Sequence, residues 1–183
     1  MIWNEVICLG DSLTYGARDE YGRSYPAELG GLLAAQTDSF WFCHNHGVNG
    51  ETSSDVLRRA WSTCRAHTDA KIMTLLVGTN DTKIPTPPEI YRDSVSQIVN
   101  AARVNDKKVI LGLLPPLEFS PHYVSNRSYI DVYNESIGEI AAETDSLVCD
   151  LSSLGEDLID GVHFGHAGYV KMAELWAASI LSM

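Results

Sequence analysis

The sequence predicts an α/β protein: a three-layer α/β/α sandwich around a five-stranded parallel sheet of flavodoxin-like order 2-1-3-4-5. Three observations predict it. Short apolar runs rich in β-formers alternate with longer segments of helical period, the pattern of βαβ units around a buried parallel sheet. Turn-forming residues such as Gly10-Asp11, Asn45-His46-Gly47 and Gly78-Thr79-Asn80 follow the apolar runs. Right-handed crossovers then favour one strand order, and sheets of this kind bind ligands beyond the carboxyl ends of their strands.

The strands are expected at residues 5–9, 39–43, 71–77, 108–114 and 146–149. Between the second and third, Val56, Leu57, Ala60, Trp61 and Cys64 form one apolar stripe of a helix. Tyr91, Val95, Ile98 and Ala102 form another, in a helix opened by Thr86-Pro87-Pro88, with Thr86 as cap and proline tolerated in the first turn. Ile130, Tyr133, Ile137, Ile140 and Ala141 mark a third. The last helix, residues 166–181, is expected to bury Tyr169, Ala173, Trp176 and Ile180.

A chain of 183 residues with 45% hydrophobic and 20% charged residues is long enough to bury a core without disulfides or a structural metal. No internal repeat, low-complexity tract or Gly/Ser linker interrupts it, so residues 1–183 are expected to form a single domain. Thirteen basic against 24 acidic residues give a net charge of −11, which repels phosphate backbones and anionic headgroups. Nucleic acid and stable membrane association are therefore not expected. Cys8, Cys43, Cys64 and Cys149 match no zinc or redox spacing, and three of them sit in apolar runs as small hydrophobes. The segment Met1-Ile2-Trp3-Asn4-Glu5 has no basic n-region or long apolar stretch, so the expected location is the cytoplasm.

The chemistry is to be sought in the loops after strands. Gly10-Asp11-Ser12-Leu13-Thr14-Tyr15-Gly16 places a serine just past the first strand, between glycines that permit tight backbone geometry. Taken alone it reads first as a turn or cap residue, and Thr14 removes the GxSxG elbow. Asp160-Gly161-Val162-His163 puts a carboxylate three positions before an imidazole, which is half of a serine-hydrolase triad. A neutral imidazole takes the serine proton, and the carboxylate holds its tautomer. Competing readings are a surface His beside a surface Asp, or a metal pair of His163 and His166. Two other strand ends offer neutral donors for an oxyanion: the backbone N–H of Gly47 and the side-chain amide of Asn80.

The four blocks, in this order, resemble the GDSL or SGNH hydrolase family. Gly10-Asp11-Ser12-Leu13 resembles its nucleophile block, and Gly47 with Asn49-Gly50 its glycine block. Gly78-Thr79-Asn80-Asp81 is similar to its asparagine block, and Asp160-Gly161-Val162-His163 to its Asp-x-x-His block. The resemblance implies Ser12 as nucleophile and backbone oxyanion donor, Gly47 and Asn80 as further donors, His163 as base and Asp160 as its partner. Phe164 stands where many members carry proline, a difference that touches loop geometry and no catalytic group.

The expected activity is hydrolysis of carboxylic esters through an acyl-enzyme on Ser12, with no metal or organic cofactor and a small-molecule ester as partner. The short loops suggest an open pocket for acetyl or other short acyl groups. Tyr15, Tyr21, Phe119, Tyr123 and Phe164 are candidate walls or sugar platforms. The alternatives are a thioesterase or lysophospholipase acting on longer chains and, outside enzymes, a non-catalytic flavodoxin-like binding module. A phospho-acceptor receiver would need paired acids after the first strand and a lysine after the last, and Asp11 and Cys149-Asp150-Leu151 do not supply them.

Overall fold

The computed structural model describes residues 2–121 and 126–183. In chain order the elements are β1 (Ile2–Gly10), α1 (Ser12–Tyr15), α2 (Tyr25–Gln36), β2 (Ser39–Gly47), α3 (Ser53–Ala66), β3 (Ile72–Leu76), α4 (Thr79–Lys83), α5 (Pro88–Val104), β4 (Lys108–Leu113), α6 (Ser128–Thr144), β5 (Leu147–Asp150) and α7 (His166–Leu181). A 3₁₀ turn, Ser152–Asp157, lies between β5 and α7. All strand pairs are parallel and the order is β2-β1-β3-β4-β5, as the sequence predicts. β1 is therefore an interior strand between β2 and β3, with Gly10 at its end opposite both Gly47 and Leu76.

Helices α2 and α7 pack together on one face of the sheet, and α3, α5 and α6 on the other. On the first face Tyr25 stacks on Trp176 at 5.7 Å and its hydroxyl reaches Thr74 Oγ1 at 3.1 Å. Gly112 in β4 makes room for that indole, since a Cβ there would stand 2.9 Å from Trp176 Cζ2. On the second face Tyr91 and Tyr133 stack at 4.0 Å, and Tyr91 donates to the Val77 carbonyl, so each ring buries its apolar body with its hydroxyl satisfied.

The predicted helical stripes are buried except in α3, where Leu57 is half-buried and Trp61 is 46% exposed; a stripe that includes i+1 and i+5 neighbours is wider than the core contact of α3. Helix α2 was not foreseen. Its apolar residues do not gather on one side, and Gly30-Gly31 interrupts it, yet Gly30 is what lets the helix lie against β2: a Cβ would approach Trp41 O to 2.9 Å. Asn45-His46-Gly47 belongs to β2 rather than to a turn. Thr86 caps nothing through its side chain; α5 opens on Pro88 with Pro87 before it, and the Thr86 carbonyl accepts from Tyr133. The four cysteines are free thiols, three buried and Cys43 half-buried. Among the described residues no helix is long and apolar enough to cross a membrane.

Candidate active site

The nucleophile candidate sits where β1 turns into α1. Asp11 closes that turn: its carboxylate accepts from Leu13 N–H at 3.0 Å, and its carbonyl accepts from Thr14 and Tyr15 N–H. Gly16 ends the single helical turn in the left-handed region at φ 92°. Ser12 is thus the first residue of a rigid turn, 4% exposed. Asp11 itself is buried, and desolvation, with Asp81 nearby, pushes its carboxyl up to about 7.

His163 comes from the far end of the chain. The segment between the 3₁₀ turn and α7 folds back on itself, with Leu158 bridged to Phe164 and Ile159 N–H donating to His163 O at 2.8 Å. Gly161 holds the bend, with φ 84° and a Cβ position only 2.9 Å from Phe119 O, so a side chain is excluded on both counts. Within this bend Asp160 Oδ1 accepts from the backbone N–H of Val162 and His163, at 3.1 and 2.7 Å. Its Oδ2 lies 3.0 Å from His163 Nδ1 and 3.4 Å from Arg18 Nε. Burial opposes ionisation of Asp160, but the hydrogen bonds from His163 and Val162 and the attraction of the ring outweigh it and hold the carboxyl below the usual range.

An acceptor-only carboxylate beside Nδ1 makes that nitrogen the N–H, so Nε2 presents its lone pair outward. Ser12 Oγ lies 3.0 Å from it. The structure therefore brings Ser12, His163 and Asp160 together as one hydrogen-bonded chain. His166 takes no part: its Nδ1 lies 3.2 Å from Asp19 Oδ2, so the His163–His166 metal pair is not formed.

The chain opens into a cavity of about 400 Å³ lined by Ser12, His163, Asn49, Gly50, Asn80 and Lys83, among others. Asn80 Nδ2 donates to Glu51 O at 2.9 Å, which fixes the amide and leaves its second hydrogen for the cavity. Gly47 corrects an expectation. Its N–H donates to Asn45 Oδ1 at 2.9 Å, and its role is steric: a Cβ would fall 2.0 Å from Tyr15 N, where α1 crosses the end of β2. Gly50, three residues on, is the glycine at the cavity, with φ 82° and open space around it.

A model of the GDSL-like lipase/acylhydrolase family matches residues 8–171. The chain belongs to this family. An acetylxylan esterase of Xylanibacter ruminicola is 28% identical over 215 aligned positions covering 96% of the chain, and the chain spans 42% of that relative's length. A lipase/acylhydrolase from Enterococcus faecalis superposes with a TM-score of 0.86 at 20% identity, over 98% of this chain and 96% of that one. A carbohydrate acetylesterase from Sinorhizobium meliloti gives 0.83 at 15% identity, over 98% and 99%. At such identities the structural likeness shows the shared fold.

In this GDSL-family chain several supporting residues have no mark in the local sequence. Arg59 donates to Glu51 Oε2 at 2.7 Å and to the Gly10 carbonyl at 2.9 Å, joining the Asn80 support to the strand end before Ser12. Asp81 accepts from Ser53 N–H and Oγ at 2.8 and 2.7 Å, tying α4 to the start of α3. Arg18 and Lys83 place two cations at the cavity. Of the aromatic candidates, Phe164 is buried against Tyr169, Tyr21 meets His166 edge-on, and Tyr15 and Phe119 are exposed. Tyr123 lies outside the described residues.

Proposed function

We propose that this chain is a serine esterase that removes short acyl groups, acetyl foremost, from the hydroxyls of carbohydrates. The observation that carries the reading is the 3.0 Å approach of Ser12 Oγ to His163 Nε2, with Asp160 behind the ring. In the proposed reaction Ser12 Oγ attacks the acyl carbonyl while Nε2 takes its proton. The resulting oxyanion faces Asn80 Nδ2, the Gly50 N–H and the Ser12 N–H, neutral donors held in place before charge develops. His163 then gives the proton to the departing alcohol, leaving an acyl-enzyme, and on the second half-cycle activates water to release the acid.

The acyl size follows from the cavity. Most of its lining residues are polar or charged (Asn49, Thr79, Asn80 and Lys83 among them), and its aliphatic side chains are only the small Ala17 and Val162. Each methylene fully buried in apolar surroundings gains about 0.8 kcal/mol, and this lining offers little such burial beyond the first carbons. The polar rim suits a hydroxyl-rich leaving group, and two of the similar proteins are named for acetylated carbohydrates. The test is acetate release from acetylated xylo-oligosaccharides beside kcat/KM for p-nitrophenyl esters of two to twelve carbons. Acetate release with a decline beyond four carbons is expected. A steady rise to twelve carbons with no acetate released would replace this reading with a long-chain acylhydrolase.

A further inference from the structure

Outside the cavity, three imidazoles and a carboxylate converge on one side of the sheet. Glu5 lies on β1, His44 and His46 lie on β2, and His67 follows the last residue of α3. Glu5 and His44 are diagonal neighbours on the strand pair, and Glu5 Oε2 is 2.9 Å from His44 Nε2. The His67 ring lies over His44 at 4.1 Å between centroids, and His46 Nε2 is hydrogen-bonded to His67 Nε2 at 2.7 Å. One donor atom each from Glu5, His44 and His67 falls within 4.8 Å of the others.

We propose that Glu5, His44 and His67 form a binding site for a borderline divalent cation, Zn²⁺ above all, with His46 orienting the His67 ring. Zn²⁺ takes imidazole nitrogen and carboxylate oxygen at about 2.0–2.2 Å, so tetrahedral donors stand about 3.3 Å apart. Glu5 and His44 stand 2.9 Å apart and no pair of the three exceeds 4.8 Å, so side-chain adjustments totalling at most about 1.5 Å along a pair bring three donors onto one ion. Two histidines with one carboxylate make a set that zinc accepts with water in the fourth position, whereas calcium and magnesium require oxygen donors. The His46–His67 bond is the outer-shell partner that such ligands use to fix ring orientation.

Glu5 is the anion of the cluster. Arg59 and Lys107 are the opposing charges, and both point elsewhere: Arg59 to Glu51 and Gly10 O, Lys107 to the His67 carbonyl at 2.7 Å. Gly10 lies five steps beyond Glu5 in β1, about 16 Å along the strand, so an ion here clamps β1, β2 and the end of α3 together and stands apart from the ester chemistry.

The experiment is equilibrium dialysis of untagged, chelator-stripped protein against micromolar Zn²⁺, with bound metal counted by mass spectrometry and thermal unfolding followed with and without the ion. Wild type is expected to bind one Zn²⁺ per chain and to unfold at a higher temperature when loaded. His44→Ala and His67→Ala are expected to lose both effects, and Glu5→Gln, which keeps a polar partner for His44, to weaken binding at least tenfold. His163→Ala is expected to bind as wild type does. The proposal is overturned if wild type takes up less than half an equivalent, if uptake survives in all three cluster variants, or if His163→Ala abolishes it.

Discussion

Asn80 hangs from the Glu51 carbonyl by one of its two amide hydrogens, at 2.9 Å, and turns the other toward the cavity that holds Ser12. The bond to Glu51 is a matter of position, and the second N–H is a matter of rate. Asn80→Ala is expected to lower kcat by about 100-fold to 1,000-fold with little change in KM, because a donor aimed at developing charge acts in the transition state. Steady-state kinetics on p-nitrophenyl acetate, with a melting curve as control, checks it. A lowered melting temperature with kcat intact would make Asn80 purely structural.

Asp160→Asn replaces an acceptor-only group by one that can also donate to His163 Nδ1, which favours the tautomer with its N–H toward Ser12. The expected loss in kcat is about 10³-fold to 10⁴-fold, smaller than that of Ser12→Ala. Labelling by a fluorophosphonate should slow in parallel and remain confined to Ser12. Unchanged kcat would remove Asp160 from the triad.

The sheet order and the residues of the hydrogen-bonded Ser12–His163–Asp160 trio were legible because each rests on a local pattern: an apolar run of strand length, a serine just past a strand, or a carboxylate three positions before an imidazole. Helix α2 was not, since Gly30-Gly31 argues against a helix unless one knows that Trp41 O lies beneath it. Nor could the sequence separate Gly47 from Gly50. Both are turn-prone glycines in one block, and the choice depends on which backbone meets Tyr15 and which meets the cavity. The Glu5, His44 and His67 cluster is assembled from two strands and a helix end, so no spacing along the chain reveals it.

The two glycines respond differently to a methyl group. Gly47→Ala places a Cβ 2.0 Å from Tyr15 N, and because backbone cannot yield like a side chain, the variant is expected to lose roughly 3 kcal/mol or more and to be inactive. Gly50→Ala meets no atom within 4 Å and carries only the left-handed penalty of about 1–2 kcal/mol. Thermal unfolding of the pair distinguishes them. Equal melting temperatures would contradict the packing described for Gly47.

Asp11 ties stability to pH. Its carboxyl holds a proton up to about 7 in the folded chain, against roughly 4 when unfolded. Between those values the folded state binds more protons, so this group's contribution is fully present below about pH 4 and is lost as pH rises through 7. Asp11→Asn keeps an oxygen for the Leu13 N–H and never ionises. Relative to wild type, the variant should therefore gain on the order of a few kcal/mol between pH 4 and 8, read from urea midpoints. A difference independent of pH would show that Asp11 is ionised throughout.

The Ser12 hydroxyl and the His163 imidazole proposed to accept its proton are separated by 151 positions, one just past the end of the first strand and the other just before the final helix. During synthesis the serine leaves the ribosome early, and for most of translation no base exists to activate it. On the proposed mechanism a nascent or prematurely terminated chain is expected to be silent toward esters, however well its first strands have paired. Recovery of turnover after denaturation is likewise expected to lag behind recovery of helical signal, because it requires the long-range contact between Ser12 and the Asp160–His163 bend and not only local structure.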